Sequence, residues 1–189
     1  MLKDIVLKNR SYRRFYEDEQ ISIDTLRELI DLARNTPSTI NSQALKYKLV
    51  YTPEDNEKVF STLSWAGLLK GKGVPVPGEK PSAYIIVLCD LSLGKDKYWD
   101  EGIAAQTIML GAVEKGLGGC IIGSIKKDRI SEDFNIDLNK YSIDLVLALG
   151  KPKETVKLVN MPESGSTAYY RDEKGTHYVP KRGLDDIII

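Results

Sequence analysis

Arg10, Ser11 and Arg13 place two guanidinium groups and a hydroxyl within four residues. Such a set can grip a phosphate through paired N–H donors. The same arginines follow a helix predicted over residues 2–8 and would equally complement the negative end of its dipole, so the segment alone leaves both readings open. The run Pro37-Ser38-Thr39-Ile40-Asn41-Ser42-Gln43 carries hydroxyls and amides. These suit hydrogen bonding to a polyol or a ring edge, or else a turn closed on its own side chains. Gly116, Gly118 and Gly119 run into a predicted strand instead of leaving one, and the third glycine is misplaced for a dinucleotide fingerprint, which excludes a Rossmann site. Gly123 and Ser124, after that strand and ahead of a short helix, would offer backbone N–H groups to an electron-rich ligand. His177, the one histidine, lies in a segment that reads as a hairpin turning at residues 172–175, and a surface position is expected for it.

Catalysis by side chains alone has little support. No G-x-S-x-G elbow, P-loop or H-E-x-x-H occurs. One histidine and two widely spaced cysteines, Cys89 and Cys120, cannot assemble a zinc site of ordinary spacing, so no metal is expected. A bound cofactor that carries the chemistry is the better expectation.

The elements that must position these residues follow from periodicity. Ile23, Leu26, Leu29, Ile30 and Ala33 recur at helical spacing over residues 22–34, with Ser22 as cap and Ile21 placed to staple onto Leu26. Residues 55–64 and 101–115 also read as helices, the second with Ile103, Ala104, Thr107, Ile108, Gly111 and Ala112 facing inward. Strands are predicted over 47–51, 83–89, 118–122 and 143–149, with a short polar helix over 126–133. Interleaving of this kind gives helices on a mixed sheet, an α+β or α/β layer architecture. Residues 67–81, rich in glycine and proline, are either a lid or a surface insertion. The tail from residue 153 ends in Leu-Asp-Asp-Ile-Ile-Ile, an apolar end expected to dock on its own body or on a second subunit.

Composition narrows the function classes. The 189 residues suffice for one core, and 27 Lys and Arg against 27 Asp and Glu leave no net field for nucleic acid or an anionic membrane. No apolar run is long enough to span a bilayer, and the start has no apolar leader, so a cytoplasmic protein is expected.

In this order and spacing the motifs resemble the FMN-dependent nitroreductase family. The resemblance rests on Arg10-Ser11-x-Arg13 with Phe15, Pro37-Ser38-x-x-Asn41-Ser42-Gln43, Asp100-x-Gly102 with Ala104, Ala105 and Gln106, Gly116-Leu117-Gly118, Ile122-Gly123, Gly150-x-Pro152, and Lys181-Arg182 before an apolar end. It departs from many members at Ala44 and Leu45, where they have proline and an aromatic. The resemblance implies an α+β nitroreductase-like fold with a mixed central sheet flanked by helices, in a single domain over residues 1–189. It also implies a homodimer whose tails, residues 153–189, are exchanged, with one FMN at each of two interface sites. Carried over by position, Arg10 and Arg13 would hold the FMN phosphate with Arg182 and Lys181, supported by Ser11. Asn41 with Pro37, Ser38 and Gln43 would meet the ribityl chain and ring edge, and the backbone near Ile122 and Gly123 would face flavin N5. The implied activity is a ping-pong relay in which NADH or NADPH gives hydride to the flavin and a small-molecule acceptor, such as a nitroaromatic or a quinone, takes it. The alternative is a flavin-binding redox sensor or storage protein with little turnover.

Overall fold

The computed structural model of the chain describes residues 1–69, 71–94 and 98–189. Its centre is β2 (Ala83–Asp90), a strand buried at every position. It pairs antiparallel with β1 (Leu45–Val50) on one side and β4 (Tyr141–Gly150) on the other, and β3 (Gly118–Ile122) closes the order β1-β2-β4-β3. Alternation divides β2 between two cores. Ile85 and Val87 join Leu147 and Leu149 under α2 (Ile23–Arg34) and α4 (Tyr98–Glu114). Tyr84, Ile86 and Leu88 join Val146 and Ala148 under α3 (Pro53–Phe60) and α5 (Lys127–Phe134). A strand covered on both faces must be apolar throughout, which is why β2 reads as an unbroken hydrophobic run.

α1 (Leu2–Lys8), α2 and β3 fall where periodicity puts them, and Ser22 caps α2 by accepting from the Thr25 N–H at 3.1 Å. The inward face of α4 differs from expectation. Ala105 and Met109 are buried, whereas Ile103 is 41% exposed and Thr107 is not buried. α4 is packed between α2 and the sheet, so its apolar surface extends well around the helix and periodicity alone does not fix the edge of the covered face.

A second sheet, built entirely from the tail and not foreseen from sequence, has the order β5-β7-β6. β5 (Val156–Asn160) pairs parallel with β7 (His177–Lys181), and β6 (Tyr170–Arg171) pairs antiparallel with β7. The expected hairpin is present, with Asp172 accepting from the N–H groups of Lys174 and Thr176. Beyond β7 the apolar end does not dock on its own body: Leu184, Ile187, Ile188 and Ile189 are all exposed.

Residues 11–16 bind these parts together as a strap. Ser11 bridges Gly119 in parallel, making the main sheet mixed at that edge, and Phe15 bridges Pro152. Tyr12 N–H donates to the Gly119 carbonyl at 2.9 Å, Tyr16 N–H to Lys151, and Lys153 N–H to Arg14. Phe15 is fully buried over Gly150, where a Cβ would lie 2.7 Å from its ring. Gly150→Ala is therefore expected to cost about 1–3 kcal/mol, read as a lowered urea midpoint, since the overlap is with a rigid aromatic. An unchanged midpoint would mean that the strap yields without cost.

Candidate functional site

The strap sets the arginines. Arg10 Nη2 donates to the Val6 carbonyl at 2.7 Å, reaching back over the end of α1, and Arg13 Nη1 donates to the Ser11 carbonyl at 3.2 Å. Both side chains face a cavity of about 290 Å³ that is also lined by Ser11, Gln106, Met109, Gly119, Ile121 and the tail residues Tyr169, His177, Val179 and Lys181. His177, Val179 and Lys181 are alternate residues of β7, so one face of that strand forms a wall of the cavity. A side chain at Gly118 would lie 2.6 Å from the Tyr12 ring, so glycine there is what lets the strap lie against β3, and one at Gly119 would overlap the Ala148 carbonyl oxygen of the neighbouring β4.

The cavity is lined by three cationic side chains, Arg10, Arg13 and Lys181. Among the described residues no carboxylate pairs with Arg10, Arg13 or Lys181, and the buried Nε atoms of Arg10 and Arg13 have no hydrogen-bond partner. Guanidinium N–H groups left free around a cavity are suited to the oxygens and charge of a phosphate. Arg13 also stacks on the Tyr169 ring, 5.3 Å from its centroid. Lys181 lines the cavity; Arg182, one residue on, is exposed and does not.

Behind this wall lies a buried cluster that sequence reasoning missed. The Glu154 side chain, 2% exposed, accepts from the Arg13 backbone N–H and from the Arg171 guanidinium. His177 Nδ1 is 4.0 Å from Glu154 Oε2, and the ring meets Tyr169 edge-on. The expectation of a surface histidine is overturned: His177 is 1% exposed, because parallel pairing with β5 draws its N–H to the Thr155 carbonyl and turns its ring toward the cavity. Burial, with Arg13 and Arg171 adding repulsion, lowers its pKa to about 4. Burial raises the Cys120 thiol, which favours the neutral, inert form.

The polar loop forms elsewhere on the chain. Ile40, Asn41 and Gln43 all take left-handed backbone conformations, with φ of 50°, 54° and 49°. At a β-branched residue this is strained, and Ile40 is 91% exposed, so no local packing holds it there. The restraint comes from Asp100 in the first turn of α4, whose Oδ1 accepts from Thr39 N–H at 2.9 Å and Thr39 Oγ1 at 2.8 Å. Ser38 Oγ closes the loop by accepting from the Gln43 N–H at 3.2 Å. Pro37, Ser38 and Gln43 line a second cavity, of about 210 Å³, with Asp100 and Tyr47. Burial pushes the Tyr47 hydroxyl up to about 12, so it stays a proton donor. Next to Asp100, burial and the neighbouring Asp144 raise the Glu101 carboxyl to about 7. The two cavities share no lining residue, so one chain does not bring Asn41, Pro37, Ser38 and Gln43 onto the Arg10–Arg13 cavity. Ile122 is buried at the end of β3 and Gly123 is exposed just beyond it.

Solved structures share this architecture. A protein of Exiguobacterium sibiricum 255-15, "putative nitroreductase in complex with FMN", superposes with a TM-score of 0.71 at 20% identity, over 87% of this chain and 94% of its own. A "putative NAD(P)H:FMN oxidoreductase" from Staphylococcus epidermidis ATCC 12228 gives 0.71 at 18% identity, over 100% of this chain and 95% of its own. The class these geometries define is the α+β nitroreductase fold. The sequence agrees, since the model of the nitroreductase family matches residues 6–79 and 93–151, well over half of the chain. The chain belongs to the nitroreductase family. A curated relative, "Putative NAD(P)H nitroreductase YdgI" of Bacillus subtilis (strain 168), is 24% identical over 181 residues, covering 78% of this chain and 87% of that protein.

The position of His177 carries a pH signature. Folded, it stays neutral down to about pH 4; unfolded, it takes up a proton near its ordinary 6.5. Between these values the unfolded state binds more protons, so stability falls as pH drops from about 6.5 toward 4. Urea titrations across that window should show a shallower acid loss in His177→Phe than in the parent. Equal slopes would place the acid sensitivity in other groups.

Proposed function

We propose that the chain is an FMN-dependent NAD(P)H oxidoreductase, a cytoplasmic homodimer that reduces small acceptors such as nitroaromatics or quinones. The observation that carries this reading is the pair Arg10 and Arg13, whose buried Nε atoms lack a hydrogen-bond partner and which no carboxylate pairs among the described residues, set with Lys181 around a cavity in a chain of zero net charge. When bound, FMN supplies the redox chemistry, accepting a hydride from NAD(P)H and passing two electrons to the acceptor. The protein's part is to bind and orient. Arg10, Arg13, Ser11 and Lys181 hold the phosphate end, and Arg182 adds positive charge at the exposed rim. The backbone at Ile122 and Gly123 addresses the flavin ring, where an N–H donor would favour the reduced state.

The remaining binding residues come from the second subunit. Because the Pro37–Gln43 loop and the Arg10–Arg13 cavity are separate on one chain, we assign Pro37, Ser38, Asn41 and Gln43 to a site completed across the dimer. The exposed Leu184, Ile187, Ile188 and Ile189 support the same assembly, as an apolar end that the chain itself leaves uncovered. The chain then acts as one domain, 1–189, with residues 153–189 as the arm that docks on the partner.

The visible spectrum of the purified protein, and of the compound released by heating, tests the reading directly. Flavin bands with FMN at about one per chain are expected, and a colourless protein that takes up no added FMN would sink it. Arg10→Ala and Arg13→Ala should each weaken FMN binding by about ten- to a hundred-fold, the loss of one charge-assisted contact. Oxidation of NADH or NADPH should depend on added nitroaromatic or quinone; bound FMN without such turnover would make the protein a flavin store. Removing residues 184–189 should move the protein from dimer toward monomer in sedimentation, whereas an unchanged dimer would place the interface elsewhere.

A further inference from the structure

The phosphate clamp leaves one group of its own cavity unexplained. His177 lines the cavity, is 1% exposed, and neither ring nitrogen has a hydrogen-bond partner. Leaving both nitrogens of a buried imidazole unpaired is costly, and such groups persist where a ligand completes them. Its surroundings are mixed in charge. Glu154 lies on the Nδ1 side at 4.0 Å, while Arg13 and Arg171 are near enough to repel a positive ring. Tyr169 packs against the ring, and Arg10 and Lys181 face the same cavity. With Nδ1 toward Glu154, Nε2 is on the far side of the ring.

We propose that His177 takes up a proton from solvent when the flavin phosphate enters, and then bridges two anions, Nδ1–H to Glu154 and Nε2–H to a phosphate oxygen. This deepens the FMN reading and rests on it. A neutral imidazole has only one N–H and can serve only one of these acceptors; the imidazolium serves both. Before binding, burial and, to a lesser degree, the nearby guanidinium groups keep the ring neutral. A phosphate dianion at the clamp offsets their charge and supplies the missing acceptor, so the protonated form becomes the stable one. His177 thereby adds to the arginines' selection of a phosphorylated flavin over riboflavin.

The chain has a single histidine, so ring NMR signals report His177 without assignment. In apoprotein at pH 6 the ring should be neutral; saturation with FMN should convert it to the imidazolium, and saturation with riboflavin should not. At the same pH, His177→Phe should bind FMN about ten- to a hundred-fold more weakly while riboflavin affinity is unchanged, and the FMN deficit should shrink toward pH 9. His177→Gln, which keeps a donor near the Nε2 position, should recover part of the loss. If the parent prefers FMN to riboflavin but the ring stays neutral on FMN binding, or if the Phe variant loses both flavins equally, the role of His177 falls and the FMN reading stands. If the parent shows no preference for FMN, the clamp itself is wrong and this proposal goes with it. Should the Phe variant not fold, the ring titration of the parent decides.

Discussion

Glu154 is one carboxylate in which two distant parts of the chain meet. It accepts from the backbone of Arg13 in the N-terminal strap and from the guanidinium of Arg171 in the tail sheet. A carboxylate with 2% exposure is tolerable only if its oxygens are occupied, so the strap and β6 must both be in place. Once they are, Arg13 is aimed at the cavity, β7 lies along its wall, and Lys181 arrives at the end of that strand. The order of the cavity is therefore set from beneath, by a buried anion behind its wall.

Parts of this were legible in the sequence because they follow from local rules. The apolar run of β2 announces burial on both faces and Ser22 announces the start of α2. Of the tail, only the hairpin turning at residues 172–175 was legible. β5 pairs in parallel with β7, a long-range partnership that leaves no alternation pattern able to name its partner, and β6 is only two residues long. His177 was misplaced for that reason: a histidine next to a turn reads as exposed until the sheet that covers it is known. Glu154 stands between Lys153 and Thr155, and its type and neighbours do not mark it as buried. Its signal was its neighbourhood to Pro152, where the strap crosses, but nothing local says that Phe15 will cross there.

The polar loop shows the opposite balance. Its residue types were informative, yet the structure adds that three of them are held in left-handed conformations by a carboxylate from α4. Non-glycine residues seldom stay in that region without outside restraint. Asp100 supplies it through Thr39, so the loop is presented in a fixed shape although Ile40 projects into solvent.

The cavity lining also has a bearing on how such a protein can change. Every residue around the Arg10–Arg13 cavity belongs to the N-terminal segment 9–13, α4, the edge strand β3 or the tail; β1, β2 and β4 contribute none. The three central strands are thus separate from the cavity wall, and β3 alone of the main sheet serves both, with Cys120 and Ile122 in a core and Gly119 and Ile121 on the cavity. Variation in the tail can therefore reshape the cavity while the central three strands keep their packing, which leaves the lineage free to drift at that wall without eroding the scaffold.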